Sequence, residues 1–301
     1  SNILTGTITY SYDAAGNLVS RTGALGNATY NYNANNQLTA GDGLTYAYDS
    51  AGNLLSTTEA TNAVTSYTHD ARGRLVRLQP PIGGATTYGY DHQGIRQSKS
   101  GPTGSVNFLI DRANPTGYEQ VVRESNTSGT TLRSYVYGSH LLSQTQSGAS
   151  SYYHGDALGS TRLLTNASGA PTDTYAYTAY GSPLAQTGST PNAYQFVGEQ
   201  QDAESNLYYL RARYYNPSVG RFLSRDPVTG KDHQPLSFHK YLYAHANPVN
   251  LTDPTGRAVP TSIAELISSL RIQFEANKIQ IQRGLQVSKK AAELYANGSL
   301  R

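Results

Sequence analysis

The stretch YDAAGNL at residues 12–18 has four relatives further along the chain. They are YNANNQL at 32–38, YDSAGNL at 48–54, HDARGRL at 69–75 and YDHQGIR at 90–96, at spacings of 20, 16, 21 and 21 residues. An Asp followed three residues later by Gly is typical of a tight turn, and polar and apolar residues alternate on both sides of it. The repeat therefore predicts a strip of antiparallel β-hairpins with a period near twenty residues.

The aspartates of this repeat have an ordinary structural interpretation. Asp13, Asp49, Asp70 and Asp91 each stand at the head of a turn, where a carboxylate can accept backbone N–H bonds. A calcium loop needs several acidic ligands packed together, and each unit offers one. We therefore predict turn capping for these aspartates and a positive φ for the glycines that follow them, Gly16, Gly52 and Gly73.

The composition supports a turn-rich β protein and excludes several chemistries. Among 301 residues there are 25 Tyr against 5 Phe, with 29 Gly and 13 Pro, which suits strands joined by turns. There is no Cys, so disulfides, thiolate metal sites and a cysteine nucleophile are excluded. A net charge of +3 is too small for a nucleic-acid footprint, and no apolar run reaches the roughly 20 residues of a membrane span. We expect no cofactor and no transmembrane segment.

Three longer motifs follow in the second half of the chain. They are YHGDALGSTR at 153–162, LYYLRARYYNPSVGRFLSRDP at 207–227 and YLYAHANPVNLTDPTG at 241–256. With the hairpin units, they resemble the YD repeats and the Rhs-associated core of Rhs proteins, toxin-complex C proteins and teneurins. The resemblance covers roughly residues 5–256.

The resemblance implies a mainly β fold. An antiparallel YD-repeat hairpin strip winds into a shell, or cocoon, and the core segment turns inward to plug one end. Residues 1–150 would be YD-repeat hairpins, 151–256 the Rhs-associated core, and 257–301 a variable tail that is a truncated effector or a packed cargo segment. Few hairpins fit in this length, so we expect the C-terminal end of a longer protein or an unusually small shell.

The tail after residue 256 has a helical pattern. SIAE at 262–265 is a capping box, and apolar residues follow at helical spacing up to Phe274. We predict helices over 262–282 and 286–295, separated by Gly284.

Two Asp-Pro steps are the only candidates for an enzymatic reaction. Asp226 and Asp253 each precede a proline, 27 residues apart, and Arg225 adjoins the first. The resemblance implies that Asp226 and Asp253 act as an aspartyl-protease-like pair, with Arg225 holding one of them ionised, and cut the chain between Arg257 and Ala258. The sequence departs from the family pattern in having Arg257 in place of a Leu. Asp-Pro-x-Gly also makes an ordinary turn, and the sequence leaves both interpretations open.

Other candidate sites are weaker. His154, His233, His239 and His245 have no metal-ligand spacing. Arg211 and Arg213 alternate with Leu210 and Ala212, and pairs of tyrosines flank this run. Arginines among aromatic residues can bind single-stranded nucleic acid, or can lock the plug to the shell wall by cation–π contacts and hydrogen bonds. We favour the second interpretation and predict no nucleic acid binding by the shell.

The resemblance implies the shell and carrier portion of a secreted bacterial Rhs polymorphic toxin used in interbacterial competition. Its partners would be its own C-terminal effector as cargo, and a secretion-system adaptor or an immunity protein. Its location would be secreted or at the cell surface. The alternative is a cell-surface adhesion module that binds carbohydrate on exposed tyrosine rings.

Overall fold

The structure is a computed structural model that describes residues 6–230 and 232–257. The predicted helices at 262–282 and 286–295, and Ala258, lie outside the described residues. The described part is almost entirely antiparallel β-structure in two sheets. The first sheet consists of β1 (Ile8–Tyr12), β2 (Leu18–Gly23), β3 (Ala28–Tyr32), β4 (Leu38–Gly41), β5 (Leu44–Tyr48), β6 (Leu54–Glu59), β7 (Val64–His69), β8 (Leu75–Gln79), β9 (Thr86–Tyr90), β10 (Arg96–Gly101), β11 (Gly104–Asp111), β12 (Gln120–Ser125), β13 (Thr131–Tyr137), β14 (Leu141–Gln146), β15 (Ala149–Gly155), β16 (Thr161–Thr165), β17 (Pro171–Tyr177) and β18 (Pro183–Thr187).

A second, smaller sheet follows this strip in the chain. Its four strands are β19 (Gln200–Asp202), β20 (Leu207–Leu210), β21 (Arg213–Asn216) and β22 (Arg221–Phe222). Short 3₁₀ turns lie at Phe196–Gly198, Pro235–Phe238 and Ala244–Ala246.

The eighteen strands of the strip pair antiparallel in chain order, each with the next. The predicted hairpin strip is therefore confirmed. It is not a closed barrel, because β1 and β18 share no ladder. Their ends meet through side chains instead, since the Tyr12 and Tyr180 hydroxyls lie 2.8 Å apart and the Tyr10 ring packs edge-on against Tyr180.

The turns have the predicted chemistry. Asp13 Oδ1 accepts the backbone N–H groups of Ala15 and Asn17 at 2.9 and 2.8 Å, and the other turn aspartates do the same in their own units. The glycines three residues on have positive φ, as predicted: 86° at Gly16, 86° at Gly52 and 74° at Gly73. Capping by these aspartates is confirmed.

The same turn recurs beyond the five units recognised in the sequence. Asn126, Asp156, Asn166 and Thr178 each accept a backbone N–H bond through a side-chain oxygen, and a glycine with positive φ follows three residues later. The strip thus continues to β18, and the boundary expected between residues 150 and 151 falls inside β15. As a division of function, that boundary stays a prediction.

The strip wraps around the second sheet. In the cross-strand pair Tyr208 and Tyr215, both rings pack with residues from β11 to β17, and the neighbouring pair Tyr209 and Tyr214 packs with residues from β2 to β9. Both faces of the second sheet are therefore buried, which explains the unbroken run of large apolar residues in β20. We name residues 194–257 the plug. Its sheet is buried inside the curve of the strip, whereas most residues between 225 and 238 are exposed.

Candidate functional site

Arg213 lies at the centre of the site. It is the first residue of β21, directly after the two-residue turn that joins β20 to β21. Its Nη2 donates to Oδ2 of Asp226 at 2.9 Å and to Oδ2 of Asp253 at 3.4 Å. The fold therefore brings both aspartates of the Asp-Pro steps to a single nitrogen atom. The Arg213 and Asp253 side chains are almost fully buried, and that of Asp226 is 16% exposed.

The remaining atoms of the Arg213 guanidinium are also engaged. Nε donates to the carbonyl of Gly256, Nη1 donates to the carbonyl of Lys240 at 3.1 Å, and the guanidinium carbon lies 3.6 Å from the centroid of the Phe222 ring. Burial lowers the pKa of Arg213, and the charges of Asp226 and Asp253 oppose that shift. One side chain thus joins the two carboxylates to the backbone that leads to the expected cleavage position.

The segment after Asp253 is a turn fixed onto the plug. Asp253 Oδ1 accepts the hydroxyl of Thr255 at 3.2 Å and the backbone N–H of Arg257 at 3.1 Å. Gly256 has φ 64°, and a Cβ at this position would collide with the backbone of the β20–β21 hairpin. The turn that the sequence offered as one alternative is therefore formed. Asp226 and Asp253 both contact Arg213, and their role as a catalytic pair stays a prediction.

Asp226 is held by its own backbone as well. Its N–H donates to the carbonyl of Lys240 at 2.8 Å, and its Oδ1 accepts the N–H of Val228 at 2.8 Å. Oδ1 thus shapes the chain around Pro227, which leaves Oδ2 for Arg213.

Arg225, which was expected to hold one of the aspartates ionised, packs against the strip instead. Its aliphatic part packs over Gly52 in the strip, beside the hydroxyl of Tyr241. Arg213 is the guanidinium that contacts both carboxylates, and sequence reasoning did not assign it that position. The available signal was an arginine between aromatic residues of a buried strand. Arg257 is exposed, and Ala258 lies outside the described residues.

Three arginines of the plug, Arg211, Arg213 and Arg221, are buried and lie close to aromatic rings. Arg211 lies 5.3 Å from the centroid of the Tyr118 ring, and Arg221 lies 4.7 Å from that of Tyr32 in the strip. These two cation–π contacts join the plug to the surrounding strip. Arg213 contacts groups of the plug itself, so the structure matches the predicted locking role for Arg211 and not for Arg213.

The histidines that showed no metal-ligand spacing in the sequence lie in different parts of the fold. His154 contacts Thr165 in the strip, and His239 lies at the contact between plug and strip. Within residues 6–230 and 232–257, no group of three or more His, Asp or Glu could hold a metal ion. No helix in the described part of the chain is long and apolar enough to cross a membrane.

Two bacterial proteins have sequences similar to part of this chain. The tRNA3(Ser)-specific nuclease WapA of Bacillus spizizenii is 39% identical over 144 residues, which are 46% of this chain and 6% of WapA. Toxin protein Tse5 of Pseudomonas aeruginosa is 36% identical over 115 residues, 36% of this chain and 8% of Tse5. This chain thus spans less than a tenth of the length of either relative.

A solved structure shows the same fold. The Tc holotoxin pore of Photorhabdus luminescens matches 84% of this chain and 17% of its own chain, with a TM-score of 0.51 and 18% identity. The family model of the teneurin YD-shell matches residues 5–249, from the first hairpin to the plug. The chain therefore belongs to the teneurin YD-shell family.

Proposed function

We propose that this chain is the shell and carrier portion of a secreted bacterial Rhs toxin that encloses a C-terminal effector. The strip wraps around its own plug, which supports a shell role. One relative is named as a toxin and another as a tRNA nuclease. The effector is then the cargo, and a secretion-system adaptor or an immunity protein is a further partner. Carbohydrate binding is the weaker alternative, because the tyrosines of the strip mostly face inward.

We further propose that Asp226 and Asp253 cut the chain between Arg257 and Ala258. One carboxylate takes a proton from a water molecule whose oxygen attacks the carbonyl carbon of Arg257, and the other carboxyl group gives its proton to the carbonyl oxygen. When the tetrahedral intermediate collapses, the C–N bond breaks and the nitrogen of Ala258 takes a proton. The products are a carboxylate at Arg257 and an amine at Ala258.

A single observation carries this proposal. Arg213 joins Oδ2 of both aspartates, while Asp253 Oδ1 holds the N–H of Arg257, the residue that precedes the expected cut. Both carboxylates and the N–H of Arg257, the residue before the expected cut, therefore belong to one hydrogen-bonded cluster. An aspartyl pair requires this proximity, because the two groups share one proton and one water.

Intact-mass measurement at neutral pH tests the reaction. The wild-type chain should yield a peptide of residues 258–301, and Asp226→Asn and Asp253→Asn should remain whole. Asp49→Asn is the matched control, since Asp49 caps a turn in the strip, and it should cut like wild type. An uncut wild type, or efficient cutting by either site variant, contradicts the proposal. Breakage after Asp226 or Asp253 would indicate acid hydrolysis of an Asp-Pro bond instead.

A further inference from the structure

A second buried ion pair adjoins the aspartate site. Glu199 precedes β19 and is 7% exposed, and its Oε1 accepts a bond from Arg211 Nη1 at 2.7 Å. The same Nη1 donates to the carbonyl of Pro254, and Arg211 Nε donates to the carbonyl of Glu119 at 3.2 Å. The pair therefore holds Pro254, the residue next to Asp253.

The backbone of Arg211 adds to this hold. Arg211 has φ 51°, which the two-residue turn between β20 and β21 requires. In the same turn, the N–H of Ala212 donates to the carbonyl of Thr255 at 3.2 Å. The carbonyls of two consecutive residues, Pro254 and Thr255, are thus fixed by this hairpin turn.

The charges around Asp253 affect whether the aspartate pair can retain a proton. Arg213 places a positive charge between the two carboxylates, whereas an aspartyl pair works with one proton retained. Glu199 brings a third carboxylate to the cluster and neutralises Arg211. Burial raises the pKa of Glu199, Arg211 lowers it, and the charge of Asp253 raises it again, so Glu199 and Asp253 are electrostatically coupled. The other titratable groups that face this pair are Glu119, Tyr118, Tyr137, Tyr194, Tyr209 and Tyr243.

We propose that Arg211 and Glu199 are positioning residues of the self-cleavage site, which rests on the function proposed above. Arg211 holds the turn from Asp253 to Gly256 on the β20–β21 hairpin. The negative charge of Glu199 offsets Arg211, so that the aspartate pair keeps its shared proton near neutral pH. Neither residue touches the bond to be cut.

The pH profile of self-cleavage in Glu199→Gln tests the electrostatic part. The amide still accepts from Arg211 but removes the buried negative charge beside it, which leaves only the partly exposed Glu119, 4.0 Å away, so both aspartates should ionise more readily. We expect the optimum to move to lower pH by about one unit. Glu199→Asp, which keeps the charge, should restore the wild-type optimum. Glu124→Gln is the matched control, because Glu124 is a buried carboxylate that pairs with Arg133, and its optimum should equal that of wild type.

Arg211→Lys tests the positioning part and does not depend on the folding of the Glu199 variants. Lysine keeps the charge but cannot reach all three acceptors of the planar guanidinium, so cutting should slow by about tenfold or more at an unchanged optimum. If wild type cuts but Glu199→Gln has the wild-type optimum, or Arg211→Lys has the wild-type rate, this inference is wrong and the self-cleavage proposal stands. If wild type does not cut, this inference and the self-cleavage proposal are both wrong.

Discussion

Gly52 has two roles at the residue scale. Its φ of 86° is the left-handed conformation that the turn requires, and a Cβ on it would collide with the side chains of Arg225 and Tyr241 from the plug. Gly129 has nearly the same φ, 83°, in an equivalent turn, but open space surrounds it. The two positions therefore separate the conformational role of glycine from its role in close packing.

We expect Gly129→Ala to lower the free energy of unfolding by about 1 kcal/mol, because alanine disfavours positive φ. Gly52→Ala should cost about 2 kcal/mol or more, since the plug must also move away from the turn. Urea unfolding of both variants measures the difference. Equal costs would mean that the plug does not pack on this turn.

His239 is a second residue whose surroundings fix its chemistry. Its Nδ1 accepts the N–H groups of Tyr241 and Leu242 at 3.1 and 3.2 Å, so the other nitrogen carries the proton and donates to Asn17 Oδ1 at 2.8 Å. Burial and the charge of Arg221 together lower the pKa of His239 to about 3, and the charge of Asp13 partly opposes them. The folded chain thus holds this ring neutral.

Acid should therefore destabilise the fold. In the unfolded chain histidine binds a proton near pH 6.5, so the stability held by neutral His239 is complete above that pH and is lost as the pH falls towards 3. Each pH unit below about 6.5 should cost about 1.4 kcal/mol for such a histidine. Half-buried His69, whose pKa is lowered to about 4 chiefly by burial, should add a further, smaller loss. Unfolding of His239→Gln between pH 7.5 and 4.5 should depend less on pH than unfolding of wild type. The exposed His92→Gln should behave like wild type, and an unchanged slope in His239→Gln would contradict this role.

At the scale of elements, β10 differs from its equivalents in the earlier hairpins. Leu18, Leu38, Leu54 and Leu75 open their strands and point inward, and Arg96 takes that place in β10. The Arg96 guanidinium is fully buried, where Nη1 donates to Asp202 Oδ2 at 2.6 Å and Nη2 donates to Gln200 Oε1 at 2.5 Å. A charged side chain thus replaces an apolar contact at one position and joins the strip to β19.

Arg96→Leu restores the residue of the other units but leaves Asp202 buried, with Lys99 as its remaining cation. We expect a loss of about 3 to 5 kcal/mol in the free energy of unfolding, because the carboxylate loses its main partner. Arg21→Leu is the control, since Arg21 pairs with Asp42 at the surface, and it should cost less than about 1 kcal/mol. Similar costs in both variants, measured by urea unfolding, would contradict the role of Arg96.

The hairpins were predictable from sequence because their signal is local. In four of the five units, Asp and Gly three residues apart form the turn, and in the unit at 32–38 Asn33 and Asn36 take these places. The alternation around each turn determines the strands. The later turns lack the Tyr-Asp or His-Asp step of these units, because a small residue precedes Asn126, Asp156 and Asn166, and Thr178 replaces Asp. Arg213 could not be assigned because its contacts with Asp226 and Asp253 depend on how distant segments pack inside the plug.

At the scale of the whole molecule, the strip and the plug form one structure. Two apolar clusters, one on each face of the second sheet, hold the plug between the two halves of the strip. Buried polar contacts such as those of Arg96 and His239 fix its position. The arrangement of Arg213, Asp226 and Asp253 depends on this enclosure, because the three residues come from separate segments of the plug.

Hydrogen exchange followed by mass spectrometry tests the enclosure most directly. If the strip surrounds the plug, the amides of β20 and β21 are shielded on both faces and should exchange only when the whole chain unfolds. They should then exchange far more slowly than β18, which lies at the free edge of the strip. Exchange in β20 and β21 as fast as in β18 would show that the plug is not enclosed, and would contradict both the shell and the site built within it.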